Sequence, residues 1–288
     1  MVSPRLLRRR IRSVQSTAKI TRAMEMIAAF RMRQAQSRVL AARPYEARIR
    51  EVIARLSAQP VGEDEDALHP LLTARPEANH IAVVHITPDR GLCGGLDSNL
   101  NRVAGEFILQ KKVEVSLVCV GRKGRDFMVR SGQNVKAIFA DLGHRPSMAD
   151  VMPIAHMVIK DYVEHVVDEV HIVFADYVSA TMQRPAVRQL LPIQPAVSSV
   201  AERGGYIYEP DARSVLAALL PRFVEREVYQ AVLEAVASEQ AARLMAMRNA
   251  TDNANEMIEE LTLLLNKIRQ QSITAELLEV VGTAEALD

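Results

Sequence analysis

The chain has no tryptophan, and aromatic residues make up only 4% of its 288 positions. A rim of aromatic anchors for sugars, bases or lipid headgroups is therefore not expected. Its two cysteines, Cys93 and Cys119, are too few for a disulfide scaffold or a structural zinc site and suit a reducing compartment. No run approaches the roughly 18 consecutive apolar residues needed to span a bilayer. The opening MVSPRLLRRRIR lacks the apolar core and small-residue cleavage site of a signal peptide. With 49% hydrophobic and 25% charged residues, what remains is a folded, soluble, cytosolic chain of one large domain or two modest ones.

The net charge of +1 hides a polarity along the chain. Residues 1–55 carry 14 Lys and Arg against three acids, a net of +11, so the remainder must sum to −10. Residues 210–288 hold seven bases and 13 acids, a net of −6. A basic arm can serve nucleic acid or anionic lipid. It can equally lie beside something acidic, and the C-terminal segment is available for that.

Glycine and proline divide the chain in three. Eight of the 12 glycines fall between Gly91 and Gly143, and none precedes Gly62. From Arg222 to Val281 there is neither Gly nor Pro, 60 residues that would make one helix. From Arg5 to Arg43 there is likewise no breaker, and Pro44 marks a kink or a boundary. Apolar or small residues recur at Leu7, Ile11, Val14 and Ala18, then at Ala28, Met32, Ala35 and Val39, an alternating three-four spacing broken at Thr21 and Glu25. Ile258, Leu261, Leu265 and Ile268 repeat it. Narrow stripes on long helices are coiled-coil seams, and pairing the two ends antiparallel is the economical arrangement. The polar run Asn249–Asn255 reads either as a solvated face or as a contact surface that must not hold its neighbour too tightly.

The middle differs. Residues 80–87, 113–120, 135–140 and 169–175 are rich in β-branched residues and read as strands, with helices over 98–111, near 126–131, and over 149–167. Such alternation predicts a mostly parallel, Rossmann-like sheet with covering helices. The expected domains are therefore an N-terminal helix (1–58), an acidic linker (59–78), a central α/β domain (79–198), and a connector with the long C-terminal helix (199–288).

Little of this carries chemistry. Thr87–Leu96 (TPDRGLCGGL) joins a strand to a helix, where phosphate loops sit. It lacks the GK[ST] ending of a P-loop, and Gly91, Gly94 and Gly95 do not give G-x-G-x-x-G. Cys93 has no histidine tied to it by a motif, and Cys119 lies in an apolar strand. The seven histidines form no metal-ligand pattern. No catalytic residue, cofactor or metal is expected.

Four separated blocks point further: residues 8–14 with 20–26 (RRRIRSV, ITRAMEM), 87–99 (TPDRGLCGGLDSN), 238–253 (SEQAARLMAMRNATDN), and 266–274 with 276–281 (NKIRQQSIT, ELLEVV). In order and over nearly the whole chain, they resemble the γ subunits of bacterial F-type ATP synthases. The resemblance implies an antiparallel coiled coil of the terminal helices with a Rossmann-like domain. It implies a non-catalytic rotor shaft, coupling ion-driven rotation of the membrane c-ring to the cycling of the β catalytic sites. Implied partners are the α and β subunits, ε and the c-ring, at the cytoplasmic face of the bacterial membrane without a span of its own. By the same resemblance, Arg269, Gln270 and Thr274 match the part of the shaft that catches a β loop. Cys93 and Met24 match positions near an acidic lever of β, with Arg243 on the facing helix. Tyr206, Tyr208 and Glu209 match the c-ring contact. Phe30 and the triplet Leu263–Leu265 depart from the family pattern. Two rivals fit less well. A nucleic-acid-binding coiled coil would want aromatic residues among its arginines and a pI above 7.9, and a nucleotide-binding enzyme would want the missing phosphate motif.

Overall fold

The structure, a computed structural model, describes residues 3–57, 69–194 and 209–285. Its elements in chain order are α1 (Pro4–Ser57), β1 (His80–Ile86), α2 (Leu96–Lys111), β2 (Glu114–Val120), α3 (Arg122–Arg130), β3 (Val135–Phe139), α4 (Met148–Val163), β4 (Glu169–Tyr177), β5 (Gln183–Leu191) and α5 (Ala212–Glu285). The chain divides into two compact units, Met1–Ala28 with Arg243–Asp288, and Ala29–Ala242.

The larger unit is built on one five-stranded sheet in the order β3-β2-β1-β4-β5. The first three contacts are parallel, and β4 pairs β5 antiparallel. Strands covered on both faces read as unbroken apolar runs, and the period of two assigns each face. Ala82, Val84 and Ile86 of β1 join a core with Ile154, Ala155 and Val158 of α4 and with Leu220, Val224, Val228 and Ala231 of α5. Ile81 and Val83 face the other way, with Ala104 and Ile108 of α2 and Met128 of α3. Inner parts of both long helices belong to this unit: Ala35 and Val39 pack with Tyr177, Leu233, Val236, Ala237 and Ala241. Glu227, nearly buried, holds Arg50 at 2.6 Å and Arg188 at 3.3 Å.

Several sequence expectations shift. Strand β5 is not expected from the sequence because Pro185 and four polar residues (Gln183, Arg184, Arg188 and Gln189) interrupt its pattern; an edge strand tolerates both. Helix α3 starts at Arg122 rather than near 126, directly after Gly121. Helix α4 ends at Val163, short of 167, because His165 turns left-handed (φ 60°) and the N–H groups of Val166 and Val167 bond back to the Asp161 carbonyl. Neither Pro44 nor Pro221 ends its helix. Helix α5 instead begins after Asp211, whose carboxylate accepts the Ser214 N–H at 2.9 Å, an ordinary N-terminal cap.

The smaller unit is an antiparallel helix pair, in which Gln15, Ala18 and Lys19 share a cavity with Asn255 and Ile258, while Glu25 and Met26 share one with Arg248 and Asp252. Its seam is not broken at Thr21. The Thr21 hydroxyl lies 2.7 Å from that of Thr251 across the pair. Thr251 and Ala254 are buried while Asn249, Asp252, Asn253 and Asn255 are exposed, so the polar run supplies seam residues on one side and a solvated face on the other. The basic and acidic helices are apposed as expected, but not through ion pairs from the basic arm. Arg5, Arg8, Arg9, Arg10, Arg12, Lys19 and Arg22 are exposed, and none of them forms an ion pair with a described residue. Small seam residues, Ala18, Ala28 and Ala254, bring the backbones together and leave the long cations outside.

One buried group makes stability depend on pH. His85 is fully buried on β1; its Nε2 lies 2.8 Å from Asn101 Oδ1, and Nδ1 has no partner among the described residues. Burial lowers its pKa to about 4, against the hydrogen bond to Asn101, which raises it. The folded state therefore resists a proton that the unfolded chain accepts near pH 6.5. Stability should fall as pH drops from about 6.5 to 4, by up to about 3 kcal/mol from this residue. Urea unfolding of wild type and His85→Gln at pH 7 and 4.5 checks it: the wild-type loss should exceed the variant's, and equal losses would contradict the assignment.

Candidate functional site

In an open α/β sheet, ligands bind beyond the carboxyl ends of the strands, where successive connections depart in opposite directions. Here that place lies between β1 and β4. The loops that meet there are fastened to one another. The Asp89 carboxylate accepts the backbone N–H groups of Arg122 at 3.1 Å and Asp141 at 3.0 Å, joining the loops after β1, β2 and β3. The Thr87 hydroxyl donates to the Val120 carbonyl and accepts the Gly124 N–H at 2.8 Å. Gly121, at φ 97°, lies so close to Thr87 that a Cβ there would fall 2.0 Å from the Thr87 carbonyl oxygen. Arg122 also pairs with Asp141. The groups that would cradle a phosphate are thus engaged with each other.

Helix α5 occupies the remaining space. Val232, Ala235, Val236 and Glu239 line the crevice together with Ile86, Leu100 and Val120, and leave a cavity of about 40 Å³. That admits a water or two, whereas ligand pockets measure roughly 300–1,000 Å³. Among the described residues no group of His, Cys, Asp and Glu is placed to hold a metal ion, and no helix is long and apolar enough to cross a membrane.

The turn after β1 projects past this clamp. Cys93 is 1% exposed and packs with Leu96, Leu100, Ala175 and Ala242. Its thiol is enclosed by this chain. Leu92 beside it is 61% exposed. Cys119 is core as expected, and burial pushes its thiol up to about 11.

The other expected residues fall as follows. Arg269, Gln270 and Thr274 lie on exposed faces of α5 in the smaller unit. The Thr274 hydroxyl donates to the Gln270 carbonyl at 2.9 Å, and Arg269 has no hydrogen bond or ion pair with a described residue. Neighbouring Ile268 is half-buried, on the seam side. Met24 and Arg243, in the same unit, are both half-buried. Glu209 is exposed in the larger unit; Tyr206 and Tyr208 lie outside the described residues. Large apolar side chains off the seam are the functional signal that the spacing argument passed over. Leu6, Ile20, Met26, Ile27, Leu263 and Leu277 in the smaller unit, and Phe30 in the larger, are each more than half exposed. Apolar surface in this amount marks contact with other chains. The heptad positions gave the clue: residues 263 and 264 cannot share the seam with Leu265.

Comparison with known proteins agrees over the full length. A family model described as ATP synthase matches residues 3–287. The ATP synthase gamma chain of Dehalococcoides mccartyi is 53% identical over 287 residues, covering all of both chains. That of Herpetosiphon aurantiacus is 45% identical over 296 residues, again covering all of both. Among solved structures, a chain of the Euglena gracilis mitochondrial ATP synthase, from an assembly of OSCP, F1 and c-ring, superposes with a TM-score of 0.67 at 21% identity, covering 99% of this chain and 94% of that one.

The filled crevice gives a direct test. Isothermal titration of the purified chain with ATP should show no binding up to millimolar concentration. Micromolar affinity abolished by changing Gly94 or Gly95 would contradict the filled-site geometry.

Proposed function

The chain belongs to the ATP synthase gamma-chain family, and we propose that it is the central shaft of a rotary ATP synthase. In this role the helix pair turns within the ring of α and β subunits. The sheet-bearing unit joins ε and the c-ring, and ion flow through the membrane sector drives the rotation. The chain itself carries no catalytic residue. It acts by presenting different surfaces to each β site in turn, so that binding and release follow differential contacts. It is a peripheral component on the cytoplasmic side of the membrane.

The observation that carries this proposal is the end-to-end match to gamma chains at 53% identity. Two structural features support it. The crevice that an enzyme would use is filled from within by α5. The helix pair leaves apolar and cationic side chains on its outside, as a shaft enclosed by other subunits requires. A complex assembled from this chain with α and β subunits, immobilised through the hexamer, should rotate a probe fixed to this chain when ATP is added. ATP turnover without rotation would exclude the shaft role.

Arg269 and Gln270 form the sharpest part of the proposal. Both face away from the seam and are free to meet a partner, and the planar guanidinium suits a carboxylate or a pair of carbonyls. A charge-assisted contact made only in the rate-limiting state is worth about 1.5–3 kcal/mol, roughly 10- to 150-fold in turnover. Arg269→Ala in the complete complex should lower ATP turnover by that order, while circular dichroism of the isolated chain stays unchanged. Turnover within a factor of two of wild type for both Arg269→Ala and Gln270→Ala would remove the pair from the mechanism.

A further inference from the structure

The outer face of α1 in the smaller unit has two properties that its pairing with α5 does not use. The first is charge. At about 100° per residue, Arg5, Arg8, Arg9, Arg12 and Lys19 fall within one arc of about 100°, opposite the seam residues Leu7, Val14 and Ala18. All five are exposed, none forms an ion pair with a described residue, and no acidic residue precedes Glu25. The second is apolar surface. Ile20, Met26 and Ile27 lie along the same outer stripe and are 58%, 63% and 51% exposed. Helix α5 shows the reverse: Glu256, Glu259 and Glu260 are exposed and face away from its buried seam residues Thr251 and Ala254. Over these residues the pair is two-sided, cationic outside α1 and anionic outside α5.

We infer that, before assembly, the chain docks on an anionic membrane surface through the outer face of α1. The five cations meet lipid headgroups, and Ile20, Met26 and Ile27 enter the boundary between headgroups and acyl chains. Four or more Lys and Arg in one short segment are what the negative potential of a lipid surface attracts. An amphipathic helix adds to that attraction by burying apolar side chains in the interface. Charge alone would suit nucleic acid as well, and the apolar stripe decides between them. Exposed isoleucines gain by entering lipid and gain nothing beside a phosphate backbone, and no aromatic residue precedes Phe30 to stack on bases. The glutamates of α5 then point away from the bilayer, roughly 20 Å from it across two helix diameters, beyond the ~8 Å reach of charge at physiological salt. In the complex proposed above this face is enclosed by other subunits, so lipid binding belongs to the chain still awaiting them.

Flotation of the full chain with vesicles tests this. The chain should bind phosphatidylglycerol vesicles but not phosphatidylcholine vesicles, and binding should weaken as salt is raised. Combining Arg5→Gln, Arg9→Gln and Arg12→Gln should weaken binding to phosphatidylglycerol roughly 100-fold, about fivefold per cation. Circular dichroism should not change, because none of the three lies in the seam. Ile20→Ser with Ile27→Ser should weaken vesicle binding about tenfold or more while leaving any binding to duplex DNA unaltered. Glu256→Gln with Glu260→Gln changes net charge on the far side and should stay within about twofold of wild type. Equal binding to the two lipids would overturn the inference, as would a triple arginine variant within about threefold of wild type. A strong gain from the glutamate pair would reduce the effect to net charge, and indifferent isoleucines would make the face a general polyanion surface; either result would also overturn it. The lipid comparison and the far-side variant decide the matter even where an arginine variant loses its helix. The outcome is separate from the shaft role. Vesicle binding by a chain that supports no rotation would leave this inference standing, and rotation by a chain indifferent to lipid would leave only the shaft role.

Discussion

The burial of α5 between Leu220 and Ala242 is the constraint on which the larger unit depends. Over this stretch the helix is enclosed on nearly all sides, and it contributes to the main core, to the cluster around Tyr177, and to the cluster beneath Cys93. A helix hydrophobic all round belongs inside a protein, but this one is not uniformly hydrophobic. Gln230, Glu234, Ser238 and Gln240 are buried with it. Their polar atoms are partly matched along the helix and to the sheet: Gln230 donates to Glu234 at 2.9 Å, and Ser238 donates to the Ala175 carbonyl at 3.0 Å. Alanines at 231, 235, 237, 241 and 242 let the helix approach the strand ends closely.

From that placement follows what the α/β unit does not do. The sheet keeps the doubly wound order that binds nucleotides in other proteins, yet its crevice is filled by Val232, Ala235 and Val236. The loops that would hold a phosphate hold each other through Asp89, Thr87 and Gly121. The same contacts that exclude a ligand make the loop cluster stiff. For a component that transmits motion rather than chemistry, stiffness is the useful property, since packed interiors pass displacement on with little loss.

The sequence made some of this legible and hid the rest for definable reasons. Strands β1, β2 and β4 were readable because both faces are covered, which makes them continuous apolar runs. Strand β5 was not, because an edge strand keeps Pro185 and polar residues that a central strand would reject. The three-four spacing located both seams, but it could not tell that Ala35 and Val39 pack on the sheet-bearing unit while Leu7 and Ala18 belong to the helix pair; identical periodicity serves both. Thr21 read as a flaw in an apolar pattern, and only its partner, 230 residues away, turns it into a seam position. At the candidate site the motif located the turn after β1 but not which of its side chains is buried: Cys93 packs inside while Leu92 is exposed. Nothing in GLCGG states that Leu92, as well as Gly94, takes a left-handed backbone, at φ 66° and 62°.

The charge distribution has its final consequence in the helix pair. Net charges of +11 and −6 on the terminal segments place a basic helix beside an acidic one, yet the basic arm is not neutralised by ion pairs among the described residues. The arginines of residues 5–12 are exposed and unpaired with described residues, while the contact between the helices is made by alanines and by the Thr21–Thr251 hydroxyl pair. Each of those hydroxyls also has a carbonyl of its own helix within reach, Ala18 for Thr21 and Met247 for Thr251. With one proton apiece, one threonine donates across the pair while the other donates backward, and exchanging the roles keeps both oxygens bonded. The seam thus gains its polar contact without a fixed ion pair, and the exposed cations of residues 5–22 stay available to the outside. Exposed charges of this kind act over about 8 Å at physiological salt and bind without deep interlocking. A surface that must attract its surroundings and still turn against them is better served by such charges than by charges already spent within the pair.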